Sequence, residues 1–338
     1  MQNKIPFPFY KNIYVLDVDN IRNLVAKFTP NIRLENTDIK RHMKSQSQKS
    51  QKLQKYYCND IDDIVSNRAT RRRQPRRGNG KYVIIVDKWE NNYELNNLTD
   101  YFSEKERILC KFGDKPLAMD AWKTWPIGSS KNTLETRDRF YKNVRVCNNF
   151  RITVALAVLQ MFGKPRRWLD ISAGWGDRLL AALLCGHIDL YYSTDPNKRL
   201  QKCYKKMIAT FAATPADAKK FVIKTAGFER VKIPHNDFDI VFSSPPFFDL
   251  ERYSEYADDS ITQFATEPAW CEYFLLPCVT KAGEHLRIGG IIVLYIGASA
   301  ESMRRLFETM KEKSYMYCGT IYFYDTRPRG MYVWKRTA

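Results

Sequence analysis

The chain has little histidine, four residues in 338, and none of its eight cysteines forms a CxxC pair. Without clustered soft ligands, no metal site is expected. The cysteines (Cys58, Cys110, Cys147, Cys185, Cys203, Cys271, Cys278, Cys318) are scattered, which fits a reducing, intracellular compartment such as cytoplasm or nucleus. No uninterrupted apolar run nears the roughly 18 residues of a membrane span, so no membrane role is expected. The opening stretch, MQNKIPFPFYKNIYV, is broken by Pro, Lys and Asn and does not read as a signal peptide. Acidic residues are scarce as well. There are 37 Asp/Glu against 55 Lys/Arg, a formal charge of +18. A small-molecule enzyme has no use for that excess; a polyanionic partner does. What is present is enough for a core: 44% apolar and 14% aromatic residues exclude wholesale disorder.

The charge is uneven. The first 80 residues hold 17 Lys/Arg against 7 Asp/Glu, and the remaining 258 hold 38 against 30. Residues 40–55 are Lys-, Gln- and Ser-rich. Residues 68–77 form an arginine run (Arg71, Arg72, Arg73, Arg76, Arg77) closed by Gly78-Asn79-Gly80. This reads as a phosphate-binding arm whose affinity falls steeply with salt. A solvated arm with no specific task and a nuclear address are the alternatives. The expected organisation is a basic, partly flexible arm over 1–80, a recognition or accessory region over 81–145, and a main domain over 146–338.

Residues 81–87 read as a buried strand. A polar, Asn-rich turn region follows Lys88, and a helix is expected over 103–112, with Ser103 and Glu106 as a capping box. Residues 116–163 read as mostly helical, ending at Gly163-Lys164-Pro165. Beyond them, strands at 168–172, 190–194, 221–225, 238–243 and 291–296 alternate with helices at 177–186, 197–213, 262–279 and 299–313. That alternation predicts an α/β, doubly wound, Rossmann-like parallel sheet. Residues 317–324 and 331–335 predict a C-terminal antiparallel hairpin.

Four motifs carry chemistry. Asp170-Ile171-Ser172-Ala173-Gly174-Trp175-Gly176 is a glycine turn between a strand and a helix, suited to close approach by a ligand. It lacks the full GxGxxG, which argues against a dinucleotide. Asp195-Pro196, at the end of the next strand, places an acid where it can hold ribose hydroxyls; a plain helix cap is the alternative. Gly227-Phe228 follows the third strand. Phe228 could wall an adenine or simply fill the core. Ser244-Pro245-Pro246-Phe247 follows the fourth strand. Two prolines make a rigid turn and Phe247 offers a stacking face to a base out of its helix.

On these residues the chain resembles the S-adenosylmethionine-dependent amino-methyltransferases, whose hallmark is [D/N/S]-P-P-[Y/F/W], over roughly residues 145–338. The wording SAGWGDRL…TDPN…SPPFFDLE also resembles putative DNA methylases of phages and large DNA viruses. The resemblance implies a class I methyltransferase fold and S-adenosyl-L-methionine as cofactor. It implies cofactor contacts from the glycine turn and Asp195, and catalysis at Ser244–Phe247. Ser at the first position is familiar from cytosine-N4 enzymes, whereas adenine-N6 enzymes usually carry Asp or Asn. About 90 residues follow the motif, leaving no room there for a separate recognition domain.

The expected activity is methylation of an exocyclic amine in nucleic acid, with DNA favoured over RNA. RNA or mRNA-cap adenosine methylation and a catalytically inactive nucleic-acid-binding subunit are the alternatives. Arg252 and Tyr253 after the motif are read as part of a lid touching substrate or, equally, of a plain surface loop; Arg327 and Arg329 at the hairpin turn are read as phosphate contacts, against the default of solvated arginines. Asn149 is read as reaching the cofactor carboxylate. A protein partner or homodimer stays open.

Overall fold

The computed structural model describes residues 6–35, 82–86, 92–126, 133–248, 251–253, 260–323 and 330–338. Among the described residues the main sheet has nine strands. They are β1 (Asn31–Glu35), β2 (Tyr82–Val86), β4 (Arg167–Asp170), β5 (Leu190–Thr194), β6 (Phe221–Lys224), β7 (Phe238–Ser243), β9 (Leu286–Tyr295), β10 (Tyr315–Phe323) and β11 (Gly330–Arg336). Their order is β1-β2-β10-β11-β9-β7-β4-β5-β6. Two short strands, β3 (Lys111–Phe112) and β8 (Glu251–Arg252), pair separately.

β6, β5, β4, β7 and β9 run parallel, and β11 inserts antiparallel between β9 and β10. This is the expected doubly wound parallel sheet, closed by its C-terminal antiparallel hairpin. Parallel strands buried on both faces need apolar side chains pointing both ways, and each strand supplies them in alternation. Trp168, Tyr191, Ile240, Phe242 and Val293 face one core; Leu169, Tyr192, Val241, Ile292 and Leu294 face the other. Trp168 stacks on Phe242 and its Nε1 donates to the Phe242 carbonyl at 2.8 Å. β9 starts five residues before its expected position. Its Gly289-Gly290 pair imitates a turn, but the strand passes through it with an irregularity opposite Phe238–Ile240.

The largest departure from expectation is on the N-terminal side. Residues 6–35 form the Tyr10–Ile13 and Val18–Lys27 helices, the latter capped by Asp17, and then β1, which extends the sheet through β2. The helix expected from Ser103 starts at Tyr93 and ends at Arg107. Ser103 is therefore interior, donating to the carbonyls of Thr99 (3.1 Å) and Trp175 (2.9 Å). Residues 116–163 hold three helices: Ala118–Thr124, Leu134–Asn143 and Ile152–Met161. The last is apolar all round because it lies between sheet and N-terminal layer, and only Gln160 of its ten residues is exposed.

The Tyr93–Arg107 helix buries a polar face. Asn96, Asn97, Thr99, Asp100, Ser103, Glu104, Glu106 and Arg107 are all at most 4% exposed. A buried charge is tolerable only when paired. Asp100 takes a bidentate bond from Arg107 (Oδ1 and Oδ2 each 2.8 Å from Nη2), another from Arg137, and one from Asn149 Nδ2 at 2.8 Å. Glu104 accepts from Arg137 Nε at 2.7 Å and Tyr141 hydroxyl at 2.9 Å. Burial alone would raise Asp100, but the two guanidiniums outweigh it and hold the carboxyl below its ordinary range. Glu104 goes the other way, raised by burial and by Asp100 beside it.

Removing one member leaves its partners charged in the interior. Arg137→Met should cost about 3–5 kcal/mol of stability, read as a lower urea midpoint. Arg304→Met, on an exposed helix face with Glu301 and Glu308, should leave the midpoint unmoved. Equal midpoints for the two variants would remove the network from its structural role.

Candidate functional site

β4 ends at Asp170, and the next six residues turn into the Asp177–Leu184 helix. The turn needs left-handed backbone at Gly174 (φ +56°) and Gly176 (φ +99°). A Cβ on Gly176 would also stand 2.6 Å from Met207 Sδ. Asp195, at the end of β5, fastens this turn. Its Oδ2 accepts from Gly174 N and its Oδ1 from Asn197 N, both at 2.9 Å. The carboxyl is 7% exposed and burial pushes it up to about 7, against the pull of those two N–H groups.

The expected catalytic turn lies beside the glycine turn. Ser172 Oγ donates to the Ser244 carbonyl at 2.9 Å, joining the two loops directly. Phe247 is half-buried, its ring 5.7 Å from Tyr295, which in turn meets Phe150 at 5.6 Å. Phe228 stands on the other side of the same space, in a single turn of 3-10 helix (Phe228–Arg230). The Lys281 ammonium holds that turn by donating to the carbonyls of Phe228 (2.9 Å), Glu229 (3.3 Å) and Val231.

These pieces surround one cavity of about 840 Å³. Ser172, Gly174, Trp175, Asp195, Pro196, Gly227, Phe228 and Asn149 line it, as do Ser244, Pro245, Pro246, Phe247 and Tyr253. Three residues assigned to cofactor contact do not. Asp170 is fully buried beneath the turn, its Oδ2 taken by Arg178 Nε (2.9 Å) and the Tyr191 hydroxyl (2.7 Å). An acid at a strand end reads as a ligand group, yet here it anchors the turn from below. Ala173 and Gly176 shape the turn without lining the space. Arg252 is exposed at the end of β8. Arg71, Arg72, Arg73, Arg76, Arg77, Arg327 and Arg329 lie outside the described residues.

The segment after the Ser-Pro-Pro-Phe turn, read as a lid, is pinned where it is described. β8 pairs with β3, Glu251 Oε1 accepts from Asn148 N at 3.2 Å, and Cys110 Sγ donates to the Tyr253 carbonyl at 2.9 Å. The Tyr253 ring lies 5.8 Å from Trp175 of the glycine turn.

About a third of the residues that line the cavity come from a layer that motif reading did not reach, Asn149 excepted. Tyr93, Asn97, Asp100, Arg107, Arg137 and Tyr141 all line it. Their common signal is the spacing of Asp100, Glu104 and Arg107, charges on one helical stripe in a segment too polar to bury unless paired. Asp177, first residue of its helix, is joined to the same layer, accepting from Thr99 Oγ1 at 2.6 Å. Burial pushes it up to about 7 as well.

No family model matches the sequence, and no curated protein matches it either. Among solved structures, the chain is similar to a putative RNA methyltransferase from Pyrococcus horikoshii (16% identity, TM-score 0.38, over 55% of this chain and 83% of that one). It is similar to a SAM-dependent O-methyltransferase from Thermotoga maritima (12%, 0.38, 61% and 72%). A methyltransferase from Pyrococcus furiosus gives 14%, 0.39, 56% and 84%.

Asp177 holds its proton more tightly folded than unfolded, so its contribution to stability is present at low pH. It is lost as pH rises from the ordinary carboxyl range to about 7. An amide keeps an acceptor for Thr99 without that cost. Asp177→Asn should therefore gain stability over wild type at pH 8 and little at pH 4, measured as the melting-temperature difference between the proteins. A difference independent of pH would show that Asp177 does not titrate in that window.

Proposed function

We propose that the chain is an S-adenosylmethionine-dependent methyltransferase acting on the exocyclic amine of a base in nucleic acid, DNA in the first instance. The observation that carries this is the Ser172–Ser244 hydrogen bond. It sets the nucleoside-type pocket of Gly174 and Asp195 and the rigid Ser-Pro-Pro-Phe turn on one cavity.

The residues fit the cofactor. Two buried polar atoms at the Asp195–Phe228 end of the cavity have no hydrogen-bond partner among the described residues: Asn197 Nδ2, a donor, and Glu229 Oε2, an acceptor. Such orphans are costly unless a ligand satisfies them. Asp195 would hold ribose hydroxyls, with Phe228 against the adenine. Bound there, S-adenosylmethionine supplies an activated methyl group on a sulfonium.

The chain's own part is positioning. The Ser244 hydroxyl and the Pro245 carbonyl accept from the target amine. They favour a pyramidal nitrogen and stabilise the charge developing on it. The Ser244 carbonyl is already held by Ser172, so the turn enters the reaction preorganised. Phe247 stacks on the base, which places it without demanding one base identity. Because the amine loses its proton after attack, no strong base is required at Ser244. Alignment supplies most of the acceleration.

The test is transfer of labelled methyl to duplex DNA, single-stranded DNA and capped RNA, with nucleoside digestion of the product. Label is expected on an exocyclic amine. Phe247→Ala should lose roughly 5–150-fold in kcat/KM, the equivalent of about 1–3 kcal/mol of stacking. Asp195→Ala should weaken cofactor binding at least about tenfold. Label confined to capped RNA would move the assignment to an RNA enzyme. No label on any polymer together with no cofactor binding would leave a nucleic-acid-binding subunit.

A further inference from the structure

Residues 198–232 hold ten Lys/Arg and two Asp/Glu, so this stretch alone carries a net +8. It comprises the Lys198–Leu200 turn, the Gln201–Phe211 helix, a short helix at Pro215–Ala218, edge strand β6 and the approach to β7. The two acids are already engaged, Asp217 with Lys220 at 2.7 Å and Glu229 with Arg230 at 3.3 Å. Glu106, from the Tyr93–Arg107 helix, takes Lys202 at 2.7 Å and Arg199 at 3.8 Å. That leaves Lys198, Lys205, Lys206, Lys219, Lys224 and Lys232, all exposed and with no ion pair among the described residues.

We propose that this lysine face is a docking track for the phosphate backbone of the nucleic acid; the proposal rests on the reading of the chain as a nucleic-acid methyltransferase. The helix determines its shape. Cys203, Tyr204, Met207 and Phe211 are buried, which turns Lys202, Lys205 and Lys206 outward together. Lys198 lies one turn ahead. From Lys198 to Lys206 is about 12 Å along the axis, a length over which one strand of duplex passes about three or four phosphates. The track also meets the cavity twice. Pro196 and Asn197, immediately before Lys198, and Gly227, three residues after Lys224, all line it.

The chemistry selects the partner. A membrane-surface helix needs a free apolar face, and here that face is in the core. A protein interface is built around exposed aromatic and apolar anchors and is depleted in lysine. The exposed large hydrophobics, Val15, Leu109, Tyr273, Ile288 and Met316, all lie outside 198–232. Unpaired lysines with no apolar centre suit a polyphosphate, bound as point charges without reading sequence.

The experiment uses the full chain and two labelled probes of about 30 nucleotides, duplex DNA and single-stranded RNA. Binding is followed against salt concentration. The test variant is Lys198→Gln/Lys205→Gln/Lys206→Gln/Lys224→Gln. The control, Lys105→Gln/Lys115→Gln/Lys311→Gln/Lys313→Gln, removes equal charge from other exposed positions. The test variant should bind at least about tenfold more weakly, with the slope of log K against log[salt] reduced by about 3–4 on duplex. The control should keep the wild-type slope. Unchanged binding by the test variant, equal losses in both variants, or no binding of either probe by wild type would overturn the track. A variant that unfolds is recognised by its melting temperature; the single changes Lys205→Glu and Lys224→Glu then replace it. Methyl transfer is assayed separately. Track-dependent binding without transfer would retain the track and sink the enzymatic reading. Transfer with an unchanged salt slope would do the reverse.

Discussion

The Asp100 carboxylate is the interaction on which the arrangement of this molecule turns. It is buried, so it is tolerable only while Arg107, Arg137 and Asn149 all reach it. Those partners come from the same helix, from the Leu134–Asn143 helix, and from the segment entering the Ile152–Met161 helix. One charge therefore dictates how three parts of the chain meet. The same helix carries Thr99 to Asp177 and Ser103 to the Trp175 carbonyl. The glycine turn is thereby held from the N-terminal layer as well as from the sheet.

That coupling explains why the cavity has two unlike walls. One is built by strand ends: the glycine turn after β4, Asp195 after β5, Phe228 after β6 and the Ser-Pro-Pro-Phe turn after β7. Ligands in open α/β sheets sit at such carboxyl ends. The other wall is the charged network itself, with Tyr93 and Tyr141 at its side. The residues beyond the Ser-Pro-Pro-Phe turn do not hang free where they are described. β8 pairs with β3, and Glu251 and Tyr253 reach the same layer. The N-terminal layer and the strand ends thus line one cavity.

Electrostatics divides along the same line. Inside, the charges of Asp100, Glu104, Arg107 and Arg137 are matched to one another, because unpaired burial costs several kcal/mol. Outside, between residues 198 and 232, Lys202 and Lys220 are paired, and six further lysines have no ion pair among the described residues. Exposed ammonium groups cost little in water, and their joint field attracts a polyanion.

Short apolar runs alternating with amphipathic stretches, the glycine turn, the acid at the end of β5 and the Pro-Pro turn are local patterns. From them the parallel sheet, its C-terminal hairpin and the strand-end wall of the cavity were legible in residue order, with β5 and β7 at their expected bounds. Three things were decided only by tertiary structure. The segment 93–107 reads as polar turn and late helix, because nothing local shows that Arg137, Asn149 and Thr153 will come to it. Asp170 reads as a ligand acid, because Arg178 and Tyr191 meet it only once the strands pair. Residues 6–35 read as part of a basic arm, because β1 gains its partner β2 from about fifty residues further on. In each case the meaning of a polar group depends on a partner distant in sequence. A chain specifies such partners through the whole fold, and no window of residues contains them.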